Sequence, residues 1–167
     1  MMPSSIEKIV DGFPFLKIDP IVVTPDYENI AGIHLKLNSN AMSVQSNLGC
    51  GTLDLLFLTV SPAVYATLST IGFVPPVNPG LEPNITTGAT GAAIANLRYH
   101  HAEATKIFTK YENTNKSLRQ LMLLSIDKLY VRFLCHKYIG YRNTTTSALL
   151  GHLYATYSNV FLLRSAG

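Results

Sequence analysis

The sequence predicts an all-α protein, and three observations carry that prediction. Apolar residues recur at three- and four-residue spacing over long stretches, whereas the period-2 alternation of a half-buried strand is nowhere sustained. Proline and glycine concentrate in one stretch, residues 72–90, with four prolines and three glycines. The chain has 167 residues, 47% hydrophobic and only 14% charged, which suits one domain with an apolar core and argues against wholesale disorder. Five to six helices are expected in an orthogonal bundle. The expected divisions are an extended arm at 1–25, a helical subdomain at 26–71, the loop 72–90, a second helical subdomain at 91–160 and a tail at 161–167.

Pro14, Pro20 and Pro25 deny the first residues a long helix, so they read as an arm laid over the surface. Asp26 then opens an amphipathic helix, with Ile30, Ile33, Leu37 and Met42 or Val44 at helical spacing, and NSNLGCG ends it. Two short apolar helices follow, roughly Thr52–Thr59 and Pro62–Ile71. Ser61 suits the N-cap of the second and Pro62 its first position. Leu55 to Val77 is an uncharged run of 23 residues, long enough to span a bilayer. A proline inside a helix costs ~3 kcal/mol, and Pro62 with Pro75-Pro76 favours core helices over a membrane span.

Beyond the loop, Ala92 to Glu112 supplies Ile94, Leu97, Ala102 or Ala104, Ile107, Phe108 and Tyr111 as a helical stripe. The polar run NTNKS reads as a break, after which Ser117 caps a helix reaching about Tyr138. Its stripe is Leu118, Met122, Ile126, Leu129 and Phe133. Gly140 matches a helix stop, and Thr144 or Thr145 starts a last helix that buries Leu149, Leu150, Leu153, Tyr154 and Tyr157. Leu129, Phe133, Leu149, Leu153 and Tyr157 would then form a packing hairpin between the last two helices.

The formal charge of +3 hides an asymmetry. Residues 1–90 carry three Lys/Arg against seven Asp/Glu, and residues 91–167 carry ten against three. Acidic front and basic back can pair with each other, with neighbouring copies, or with a polyanion. Lys128, Arg132 and His136 stand at i, i+4 and i+8, a basic stripe whose partner is RNA phosphate, an acidic patch of 1–90, or water.

Chemistry is poorly supported. Cys135 and His136 are adjacent, so on a helix they point about 100° apart, and His152 lies on another helix. His100, His101 and Glu103 lack the i, i+4 ligand spacing of helical zinc sites. Leu48–Thr52, LGCGT, lacks the lysine of a phosphate loop and reads as a helix stop. Cys50 and Cys135 have no CxxC spacing and read as reduced thiols, and the start of the chain lacks a signal-peptide pattern. The sequons at Asn84, Asn115 and Asn143 are then incidental, and the expected location is cytoplasmic. No catalytic residue, metal, cofactor, membrane or small-molecule substrate is expected.

Taken in order, SPAVYATLS, PPVNPG, TTGATGAAIANL and KSLRQLMLLSIDKLYVRFLCHKYIGYRNTTTSALLGHLYATYSNV resemble the Gag-like N-terminal region of copia-type long-terminal-repeat retrotransposon polyproteins. DYENIAGIHLKLNSNAMSVQSNLG is similar to that family's first helix and turn, so the resemblance spans roughly residues 11–160. It implies a helical, capsid-like structural protein that associates with itself around element RNA and is not an enzyme. CGTLDLLFL stands where the family often carries a Gly/His-rich stretch. FLLRSAG stands where further helices continue, and no CCHC zinc knuckle is present. The expectation is a truncated Gag-like piece, either assembling or a non-functional remnant, with RNA binding through the basic half as the alternative activity.

Overall fold

The structure, a computed structural model, describes residues 4–166, with side chains as far as residue 158. It is all-α: α1 (Ser5–Asp11), α2 (Tyr27–Met42), α3 (Pro62–Leu68), α4 (Gly91–Leu124) and α5 (Thr146–Ala166), with 3-10 segments at Leu56–Leu58 and Lys128–Leu134. α2 lies against both α4 and α5, and α1 lies against α4. The core draws on both helical stretches flanking the loop, with Ile30, Leu37, Leu118, Met122, Val131, Leu149 and Leu153 fully buried.

Capping sets several boundaries as the sequence leads one to expect. The Asp26 carboxylate accepts from Asn29 N–H at 2.8 Å, the Ser61 hydroxyl from Val64 N–H at 3.2 Å, and Thr145 Oγ1 from Ala148 N–H at 3.0 Å. Each side chain occupies one of the backbone donors that a helix start leaves unpaired.

The first 25 residues are not simply an extended arm. Ser5–Asp11 forms α1 through a capping box in which Ser4 and Glu7 satisfy each other's backbone donors. After Gly12 the chain runs without regular structure but is pinned. Phe13 and Ile18 are buried, and fully buried Asn40 of α2 clamps Phe15, taking its N–H and donating to its carbonyl, both at 2.9 Å. Farther on, Ile21 N–H donates to Ser125 O at 2.9 Å, tying the arm to the end of α4.

Thr52–Thr59 is not an α-helix. Asp54 takes a positive φ of 51° and only Leu56–Leu58 winds as 3-10. The polar run 113–117 does not break α4 either. Asparagine, threonine and serine weaken a helix by competing for its backbone, but here Thr114 and Ser117 turn inward. Each donates to the carbonyl four residues back, at 2.7 and 2.8 Å, so the ladder continues for 34 residues.

The helix expected to reach Tyr138 stops instead at Leu124. The Asp127 carboxylate accepts from Leu129 N–H at 2.9 Å and starts the 3-10 segment. Gly140 is not a helix stop: with φ 62° it closes a short turn in which His136 and Gly140 exchange backbone hydrogen bonds of 2.8 and 3.0 Å. Residues 161–166, expected as a tail, continue α5. No helix among the described residues is long and apolar enough to cross a membrane.

Candidate interaction surface

The change from α to 3-10 winding relocates the sequence-predicted site. In a 3-10 segment residues three apart share a face, so Lys128 and Arg132 diverge, and His136 falls beyond the segment. The basic stripe therefore does not exist as one face. The same change undoes half of the packing hairpin. Val131 is buried and Tyr130 and Leu134 are half-covered, while Leu129 and Phe133 turn outward, Phe133 to 81% exposure. Leu149 and Leu153 are buried as expected, and half-buried Tyr157 packs edge-on against Tyr130 with ring centroids 5.3 Å apart. His152 Nε2 lies 3.1 Å from the Tyr130 carbonyl, which binds α5 to this segment.

What replaces the stripe is an exposed ridge of cations beside aromatic rings. The Arg132 guanidinium sits 5.6 Å from the Phe133 ring centroid, and the Lys137 ammonium sits 5.3 Å from that of Tyr138, itself 81% exposed. His136 is held by its own turn, its Nδ1 accepting from Tyr138 N–H at 3.1 Å. Cys135 is exposed, its thiol facing the His136 carbonyl at 3.8 Å.

A second exposed feature belongs to α4. Its residues from Gly91 to Lys110 include no buried side chain, and burial begins only at Tyr111. At 1.5 Å per residue, roughly 30 Å of helix stands clear of the core. Ile94, Leu97, His101, Thr105 and Phe108 form a half-covered stripe along it, and the 72–90 loop reaches that stripe where His101 Nε2 approaches the Gly80 carbonyl at 2.9 Å. Glu103 pairs with Lys106 at 3.2 Å, and no group of three or more potential metal ligands occurs among the described residues.

One polar residue, His34, escaped the sequence reading, and Cys50, read there as a reduced thiol in a turn, gains partners. His34 on α2 links three elements, with Nε2 2.7 Å from the Thr59 carbonyl and Nδ1 3.0 Å from the Tyr154 hydroxyl. The carbonyl fixes the proton on Nε2, so Nδ1 accepts from Tyr154. Burial lowers the His34 pKa, partly opposed by the hydrogen bond to Thr59. Cys50 lies in the LGCGT turn, where hydrogen bonds from Ser69 first and then Thr52 lower its thiol to about 6. Its neighbours are hydroxyls, without a base to take part in nucleophilic chemistry. His34 lacked any signal beyond its place on the inward side of α2, and Cys50 gains its partners only when Ser69 and Tyr65 fold back on the turn.

No family model matches the chain, and no curated protein and no solved structure matches it either. Function has to be read from its own side chains.

Proposed function

We propose that this chain is a non-catalytic, helical, Gag-like building block that associates with copies of itself in the cytoplasm. The observation that carries the reading is the unburied half of α4, Gly91–Lys110. Most helical stability in proteins comes from packing an apolar face rather than from intrinsic propensity. A half-covered stripe of Ile94, Leu97 and Phe108 is a face that gains from a second copy. The opposite charges of residues 1–90 and 91–167 favour contact between the front of one copy and the back of the next. The free thiols of Cys50 and Cys135 support a reducing compartment.

Light scattering over a concentration series should show mass rising with concentration. Hydrogen exchange over the same series should show residues 91–110 gaining protection as it does so. A species that stays monomeric at high concentration overturns the reading.

The exposed ridge supports a second reading, single-stranded RNA binding, because aromatic faces next to cations stack bases and neutralise phosphates together. It predicts RNA affinity that falls steeply with salt and with Arg132→Ala plus Lys137→Ala. Salt-independent binding, or none, removes it.

A further inference from the structure

We propose that the cleft between α4 and the 141–143 turn binds the phosphate group of a ribonucleotide. The cleft measures about 630 Å³, within the range of small-molecule sites and larger than a phosphate alone requires. Three cations line it, Lys116 and Arg119 from α4 and Arg142 from the turn, against one carboxylate, Glu112. Among the described residues none of the three cations takes part in an ion pair. Placing two guanidiniums and an ammonium around one hollow costs repulsion, which a bound dianion removes.

Arg119 is already oriented, since its Nη1 donates to the Thr144 carbonyl at 3.3 Å and leaves its other donors for a ligand. Partial burial is the main reason its pKa is lowered; Glu112 opposes that change and Arg142 adds to it. An arginine desolvated in this way gains more from an anion than one in open water.

The remaining lining asks for more than phosphate. Asn115 lines the cleft, and its Oδ1, closed to solvent and without a hydrogen-bond partner, gains one if the side chain turns towards a ligand. A phosphate dianion has no proton to give this acceptor, whereas a ribose hydroxyl does. Glu112 accepts from a hydroxyl in the same way, and the ring of Tyr141 offers a surface for a base. Cations for phosphate, acceptors for hydroxyls and an aromatic face together match a ribonucleotide, either free or as one unit of an RNA strand. The proposal stands apart from self-association. It also differs from RNA binding at the Arg132–Tyr138 ridge, because the two use different side chains.

The test is calorimetric titration of the full chain with UTP, dUTP, uridine and a ten-nucleotide oligouridylate. Lys116→Ala plus Arg142→Ala alters only exposed side chains, so the fold should survive, as circular dichroism can check. UTP binding that the double substitution weakens at least about tenfold, the scale of a lost charge-assisted contact, supports a free-nucleotide site. Oligouridylate binding with the same dependence, but none by UTP, supports the site as a seat for RNA. dUTP should bind more weakly than UTP, and Asn115→Ala should erase that difference. Phe133→Ala plus Tyr138→Ala should leave UTP affinity unchanged. The proposal is overturned if neither phosphorylated probe responds to the double substitution, or if UTP does bind but uridine or dUTP binds as well as it does.

Discussion

Gly49 sits at φ 65° beneath the phenol of Tyr65, and a Cβ built there would lie 2.1 Å from the phenolic oxygen. That oxygen belongs to an aromatic group in which Phe57 and Phe73 stack at 4.4 Å and Tyr65 packs edge-on to both. Gly49→Ala adds backbone strain and a clash, so unfolding in urea should show a loss of about 1–3 kcal/mol. Tyr65→Phe removes the atom in the way, and the double variant should lose less than the sum of the singles. Equal additivity would show that strain alone is at work.

His34 yields a pH prediction. Its folded pKa lies below the ordinary 6.5, so the unfolded chain binds the proton more readily. The contribution of the neutral ring is therefore complete above about pH 6.5 and is lost as pH falls towards the folded value. Urea midpoints should drop as pH falls below about 6.5, and His34→Gln should flatten that drop. An unchanged slope in the variant would move the effect to another group.

Among the elements, α2, α3 and the start of α5 were legible because local signals and tertiary packing agree there. Asp26, Ser61 and Thr145 each cap the helix they precede, and the stripes of α2 and α5 meet the core. The short α3, legible from its cap, buries Tyr65 and leaves Val64 and Leu68 exposed. α4 was misread where its polar residues imitate a break, since nothing local reveals that Thr114 and Ser117 face inward. The segment after it was misread for the opposite reason. Leu129 and Phe133 continue a helical stripe in sequence, but the Asp127 cap and 3-10 winding turn them outward.

A paired truncation separates the two arrangements. Leu153→Ala should cost about 2–5 kcal/mol, the range for emptying a buried leucine site, while Phe133→Ala should stay within about 0.5 kcal/mol. A helix running through to Tyr138 would make both substitutions costly. The nucleotide cleft was invisible for a related reason. Lys116 and Arg119 share a helix face, but Arg142 joins them only through the turn that follows the 3-10 segment.

At the scale of the whole molecule, the all-α class followed from periodicity alone, whereas the course of the first 25 residues did not. Their prolines exclude a long helix, but no local pattern says that Asn40 will hold Phe15 by both backbone groups. Asn40→Ala removes both hydrogen bonds to the Phe15 backbone and should cost about 1–3 kcal/mol, seen as a lower urea midpoint. Hydrogen exchange should then rise around Phe15 and Ile21 more than within α5. A uniform rise would mean that the clamp stabilises the whole fold rather than the arm.

The bond from Ile21 to Ser125 also sets an order in time. A ribosome releases residue 21 long before residue 125, and about a hundred residues take roughly 5–20 s to synthesise. Through that interval the arm has no α4 to settle on. Ile21 thus waits for the end of α4, whereas Phe15 can be held as soon as Asn40 of α2 has emerged.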